Sequence, residues 1–284
     1  MWGEIMGWTE VAYQYDGSLD GFLCCVFDSY VNKEFPIAFF GDEECLTLYE
    51  VRTVITRRED ARRVMRGIVR RSSEAADLVR RAFLTCMEDK ESRIYTFIRK
   101  LYAEGADFLR NQSDPAYYPI VRAVRHLGRE VEKLRGFVRF SDYRGVLGAE
   151  IEPVNRVLPV LRSHFCNRYA NESFFIYDRT HRELLLHAKG CSRLMTMDSL
   201  QLELPNDEEV RYRALWKQFF ESVSIRERTN IRKQNNCLPK RYRGTMTEFL
   251  PLRPVAPIEA RPGSLEGLTD STVPGEIPAP ETTR

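Results

Sequence analysis

No CxxC pair, no HExxH, no GxSxG elbow and no phosphate-cradling glycine loop occurs in the 284 residues of this chain. The first two absences remove the common dithiol and zinc patterns. The other two remove the hydrolase nucleophile turn and the P-loop. Seven cysteines are present, Cys24, Cys25, Cys45, Cys86, Cys166, Cys191 and Cys237. An odd number without regular spacing does not make a disulfide framework. Cys24, Cys25, Cys86 and Cys166 are expected inside apolar helices as reduced core thiols. No metal and no other cofactor is expected to be held by this chain alone. No apolar run approaches ~18 residues, so no membrane span is expected. The opening MWGEIMGWTE lacks a cationic stretch followed by an apolar one, and a secretory leader is not expected either. A cytoplasmic protein is the resulting expectation. A large excess of either charge is lacking too. The net charge is +2, so any electrostatic footprint has to come from clustering.

What is present is enough apolar material for a core, 43% of residues, with 30% charged. Residues 1–10 read as a leader. Val11–Tyr15 reads as a strand, and Asp16 or Ser18 can cap a helix carrying Leu19, Phe22, Leu23, Val26, Phe27 and Tyr30 at helical spacing. Residues 33–45, with Pro36 and Gly41, read as a loop. Leu46–Ile55 is rich in β-formers and reads as a strand. Thr56 and Glu59 form a capping-box pattern before an arginine-rich helix reaching about Arg71. Further helices are expected from Ser72 to about Asp89, from Glu91 to Leu109, and from Asp114-Pro115 to about Leu134.

The texture changes at Gly136. GFVRFSDYRGVLGAEIEP reads as two strands around a turn, and Asn155–Tyr169 as an amphipathic helix. Phe174–Tyr177 and Glu183–His187 read as a second strand pair, and Leu194–Met197 as an edge strand. Asn206–Val223 follows as a helix whose buried face is Leu215, Trp216 and Phe219. Ile225–Gln234 reads as a shorter helix ending before Pro239. The segment 251–284 holds half of the 14 prolines and no aromatic residue, the composition of a disordered tail. The fold class is therefore α+β. A helical half (about 57–134) and a β-hairpin-rich half (about 136–197) share one core, with C-terminal helices after them and a single domain over 11–250.

The richest cationic stretch is IRERTNIRKQNNCLPKRYRGTMTEF. Arg226, Arg228, Arg232, Lys233, Lys240, Arg241 and Arg243 face one acid, Glu227, before Glu248. Asn230, Gln234, Asn235 and Asn236 fill the gaps. Cations attract phosphate, and amides bond sugars, phosphates or base edges. Arg226, Asn230, Lys233 and Gln234 fall on one helical face. Arg139, alternating with apolar residues in a strand, projects away from the core. A nucleic acid, DNA in the first place, is the expected partner. Ion pairs inside the fold are the rival explanation of all these charges. His164 lies one turn from Arg168. If the strand carrying Asp178 packs beside that helix, His164, Arg168 and Asp178 share a cleft in which histidine can act as acid or base. A buried core histidine is the alternative. His181 and His187 are expected in solvent.

The stretches YDGSLDGFLCCVFDSY, GFVRF, IEPVNRVLPVLRSHFCNRY, FFIYDRTHRE and YRALWKQFFESVSIRERTNIRKQNNCLPKRYRGTMTEF together resemble a bacterial family linked to DNA metabolism and DNA repair. Its domain is formally of unknown function, is encoded beside a radical-SAM protein acting on DNA, and also occurs joined to uracil-DNA-glycosylase-like domains. The resemblance covers residues 11–249. It implies an accessory protein of DNA repair or modification that works with a radical-SAM enzyme, the iron–sulfur chemistry belonging to that enzyme. The family tends to carry a histidine–arginine pair shortly before GFVRF. Here Arg135 remains and the histidine is missing. Two other readings stay open: a DNA- or nucleotide-acting enzyme using His164, and a protein–protein adaptor.

Overall fold

The computed structural model describes residues 7–41, 47–200, 207–223 and 230–250. Arg226, Arg228 and the segment 251–284 lie outside them. Of these residues, 54% are helical and 19% are in strands, and among them there are two sheets and no barrel. The chain is mixed α+β, as its patterning implies.

The first sheet is parallel. Strand β1 (Thr9–Gln14) leads through helix α1 (Leu19–Asn32) to β2 (Glu34–Phe40), and β3 (Val51–Thr53) pairs on the other side of β1. As the central strand, β1 buries Val11, Ala12 and Tyr13 in succession, as a strand covered on both faces must. It begins inside the segment expected to be a leader. Ser18 caps α1 by accepting from Gly21 N at 2.9 Å. Strand β2 corrects the loop expected over 33–45. Its Pro36 is tolerated because β2 is an edge strand and its register with β1 shifts between Val11 and Ala12, opposite that proline. Strand β3 is much shorter than the expected Leu46–Ile55, and Leu48 is exposed.

Helices α2 (Arg58–Arg71), α3 (Ser73–Phe83), α4 (Lys90–Glu104) and α5 (Tyr118–Phe137) follow. The expected capping box of Thr56 and Glu59 does not form, because the Thr56 hydroxyl donates to Asp16 at 2.7 Å. Ser72 does cap α3, accepting from Ala75 N. Helix α3 stops six residues short of Asp89, which leaves Cys86 exposed outside any helix. Helix α5 does not start at Pro115. Asp114 accepts from Ala116 N and pairs with Lys100, so it closes a turn, and the proline near the helix start is Pro119.

The second sheet has the order β4-β5-β6-β7-β8: β4 (Ser141–Tyr143), β5 (Val146–Ile151), β6 (Phe174–Asp178), β7 (Glu183–Ala188) and β8 (Cys191–Thr196). All pairs are antiparallel except β5–β6, which α6 (Leu158–Arg168) connects as a crossover. Phe137 ends α5 and residues 138–140 form no strand, so Arg139 stands on a linker rather than on a strand. Helix α7 (Asp207–Val223), the short α8 (Ile231–Cys237) and two 3-10 turns, Lys240–Thr245 and Thr247–Phe249, complete the described chain.

The two halves do not share one core. One buried cluster runs from Val11 to Ile120, and the other from Leu127 to Tyr242. Helix α5, about 30 Å long at 1.5 Å per residue, joins them. It gives Ile120 to the first cluster and Leu127, Val131 and Leu134 to the second.

Candidate nucleic-acid interface

The last turn of α5, the linker 138–140, the end of α6 and one face of α7 enclose a groove of about 650 Å³ in the second half of the protein. Arg135, Arg139, Arg168 and Arg213 line it, with Phe140, Tyr169, Tyr212 and Trp216 between them. The contributions from α7 are Glu209, Tyr212, Arg213 and Trp216, at i, i+3, i+4 and i+7, which is one helical face.

The four arginines fall into two pairs. Arg139 and Arg213 are fixed in place. Arg139 donates to the buried Glu248 through Nε (3.2 Å) and Nη2 (2.8 Å), and to Gly136 O at 2.8 Å. Arg213 donates to Glu209 Oε1 at 2.8 Å and to Ser141 Oγ at 2.5 Å. Glu209 also accepts from Asp142 N at 3.2 Å, so α7 is anchored to β4. Because a guanidinium has five donors in a rigid fork, both arginines keep N–H groups beyond these bonds.

Arg135 and Arg168 are less engaged. Arg135 meets Glu132 at 2.7 Å, but that carboxylate is 68% exposed, and such surface pairs contribute little. The Arg135 Nε is buried without a protein partner. Arg168 is exposed and lies 5.8 Å from the Tyr169 ring. No acid pairs with it among the described residues. The aromatic floor is ordered by its own contacts, Phe140 meeting Tyr169 at 5.0 Å and Phe165 at 5.7 Å between ring centroids.

The arrangement expected around His164 is not the one present. Arg168 lines the groove. Asp178 is fully buried at the end of β6 and accepts from Thr180 N, His181 N and His181 Nδ1 at 2.9, 3.1 and 2.7 Å. It holds the β6–β7 turn and is not a partner of His164. His164 is half-buried, packs edge-on to Phe165 at 5.0 Å, and keeps its Nε2 buried without a partner. Burial first, then the neighbouring Arg135 and Arg168, push its pKa below the usual 6.5. A histidine depressed in this way binds fewer protons folded than unfolded. Stability is therefore full above about 6.5 and falls as the pH drops towards the lower folded pKa. Urea titrations of His164→Gln are expected to show that acid-side slope reduced; an unchanged slope removes His164 from the linkage. His187, expected in solvent, is buried, donates from Nδ1 to Glu172 O at 3.1 Å and stacks on Phe174.

Among the described C-terminal cations, Arg241 and Arg243 are engaged within the fold. Asn230 is the N-cap of α8, its side chain accepting from Lys233 N, so the helix begins after it. Arg241 turns towards Tyr242 and the buried Glu130. Arg243 donates to Asn235 and Leu238 O and sits over Phe249. Lys233, Gln234 and Lys240 are exposed. The groove instead gathers Arg139 and Arg168, both legible as candidates, with Arg213, Tyr212 and Trp216, which were read as part of a helix with a buried face. The 209-212-213-216 spacing was visible. That the face stays open was not.

Among the described residues no group of three or more His, Cys, Asp or Glu side chains is placed to hold a metal ion, and no helix is long and apolar enough to cross a membrane. No curated protein and no solved structure matches the chain. A family model, the domain of unknown function DUF4130, matches residues 88–248. That is more than half of the chain and contains the whole lining of the groove. The stretch Tyr15–Tyr30, part of the resemblance seen in the sequence, lies outside it. On this match the chain belongs to the DUF4130 family of domains of unknown function.

Proposed function

We propose that this protein binds nucleic acid, DNA in the first place, in the groove between the ends of α5 and α6 and the face of α7, as an accessory protein of DNA repair or modification. The observation that carries the reading is the meeting of Arg135, Arg139, Arg168 and Arg213 with five aromatic side chains, Phe140, Phe165, Tyr169, Tyr212 and Trp216, in one open groove. Two of these arginines are locked by acids and shape the groove. The other two present guanidinium edges to whatever enters, which is how phosphate is recognised. The partnership with a radical-SAM enzyme rests on the family resemblance. Under this reading any iron–sulfur chemistry belongs to that partner.

The adaptor reading has an observation of its own. Leu215, Trp216, Phe219, Phe220 and Val223 are exposed on α7, and exposed apolar patches mark protein interfaces as well as ligand grooves. Titration of fluorescein-labelled DNA with the wild-type protein and with an Arg135→Glu/Arg168→Glu variant decides between them. DNA binding that the variant loses supports the groove; no binding by the folded wild type leaves the adaptor.

A further inference from the structure

The face of α7 that closes the groove does not end with it. Beyond Glu209, Tyr212, Arg213 and Trp216 the same helical face continues one turn further through Phe219 and Phe220. Tyr212 is 61%, Trp216 41%, Phe219 57% and Phe220 44% exposed. Single exposed aromatics need no explanation, but four on one face of one helix do. They are not a loose scatter: Trp216 lies 5.8 Å from Phe219 and Phe220 5.8 Å from Phe249, and Arg139 stands 5.9 Å from the Trp216 ring. The expectation that this face is buried fails because, among the described residues, α7 meets the protein mainly through β4 and the 3-10 turn at Thr247–Phe249.

We propose that the occupant of this face is single-stranded nucleic acid, its bases stacked along α7 and its phosphates on Arg135 and Arg168. The proposal rests on the nucleic-acid reading above and names the form of the ligand. A duplex hides the faces of its bases and offers base edges in the grooves and phosphates outside. Against a duplex the aromatic stripe meets charged backbone and gains nothing. A single strand offers both phosphates and base faces, and cationic grooves interleaved with aromatic platforms take it. The stripe from Tyr212 to Phe220 is about 12 Å long at 1.5 Å per residue. That matches roughly three or four nucleotides at the ~3.4 Å rise of one strand. An apolar protein partner would satisfy the stripe but would give Arg168 no acid and Arg135 none beyond the solvent-exposed Glu132, so charge complementarity favours the polyanion.

The test is fluorescence anisotropy on the full chain at low salt, with labelled dT12 and a hairpin duplex of equal nucleotide count. dT12 is expected to bind at least about tenfold tighter than the hairpin. Tyr212→Ala/Trp216→Ala is expected to lose on the order of tenfold or more for dT12 with little change for the hairpin, while Trp216→Phe retains most of the affinity. These side chains are exposed, so circular dichroism and thermal melting should be unchanged. Equal binding of both probes, lost together in Arg135→Glu/Arg168→Glu, overturns the single-strand proposal and leaves the nucleic-acid reading standing. Failure of the folded wild type to bind either probe overturns both.

Discussion

Replacing Arg135 and Arg168 together by glutamate is expected to weaken DNA binding on the order of a hundredfold at low salt. Hydrogen bonds to charged groups are worth about 1.5 kcal/mol at the lower end of their range, and about 1.4 kcal/mol is tenfold in affinity. Two such contacts therefore give roughly two decades. The salt dependence carries independent information. Each neutralised phosphate contributes ~0.7–0.9 to the slope of log K against log salt, so the variant's slope should be shallower by about 1.4–1.8. Stability should hardly change, because Arg168 has no ion-pair partner among the described residues and the partner of Arg135 is a solvent-exposed glutamate. Arg139 and Arg213 are poorer choices for the same test. Removing Arg139 strands the buried Glu248, and removing Arg213 detaches α7 from Ser141, so a loss of binding there could reflect a collapsed groove.

The second large effect is on stability. Glu130 is 2% exposed on α5 and accepts from Val154 N at 3.1 Å, Asn155 N at 2.9 Å, Asn155 Nδ2 at 2.6 Å and the Tyr242 hydroxyl at 3.3 Å. Arg241 lies 3.5 Å away. One carboxylate thus ties α5, the loop before α6 and the C-terminal 3-10 turn together. Glu130→Ala removes the acceptor of two backbone N–H groups, of the Tyr242 hydroxyl and of one Asn155 amide hydrogen, while Asn155 Nδ2 stays 3.0 Å from His126 Nδ1. Buried unsatisfied donors cost about 1–3 kcal/mol each, and breaking a buried ionic network costs about 3–5 kcal/mol in total. A loss in that range is expected from urea unfolding with an unchanged denaturant slope. A loss below about 1 kcal/mol would mean that water replaces the carboxylate, and the network would not be what holds the C-terminal turn. Tyr242→Phe removes only one of these bonds and is expected to cost about 1 kcal/mol.

The parts of the fold that the sequence made legible are those whose period is clean and whose partners are near in sequence. Strands β6 and β7 appear within a residue or so of their expected ends, and residues 207–223 are helical as expected. Elements set by distant contacts were less legible. Pro36 argued for a loop because a proline cannot donate to a ladder, yet an edge strand with a register shift has room for it. Asp114-Pro115 has the form of a helix start, but Lys100 and the Ala116 N–H claim both carboxylate oxygens. Asn230 looked like part of a basic helical face and is the cap that begins the helix.

The site was half legible for the same reason. Composition pointed to cations and amides meeting a polyanion, and Arg139 and Arg168 do line the groove. The C-terminal cluster carried the strongest signal by density, but Arg241 is drawn inward by Glu130, far away in sequence, and Arg243 by Asn235 and the Leu238 carbonyl within the cluster itself. Amphipathicity marked the face of α7 but cannot say whether protein or ligand covers it. Only the folded arrangement shows Trp216 and Phe219 open beside the arginines.

The central claim is that nucleic acid lies in the groove between the end of α5, the end of α6 and α7. Photo-cross-linking of the full chain to an oligonucleotide carrying 5-bromouracil, followed by peptide mapping, tests it most directly. The account predicts adducts on Tyr169, Tyr212 and Trp216 that disappear in Arg135→Glu/Arg168→Glu. Adducts confined to the arginine-rich α2 or to residues 231–243, unchanged in that variant, would contradict it.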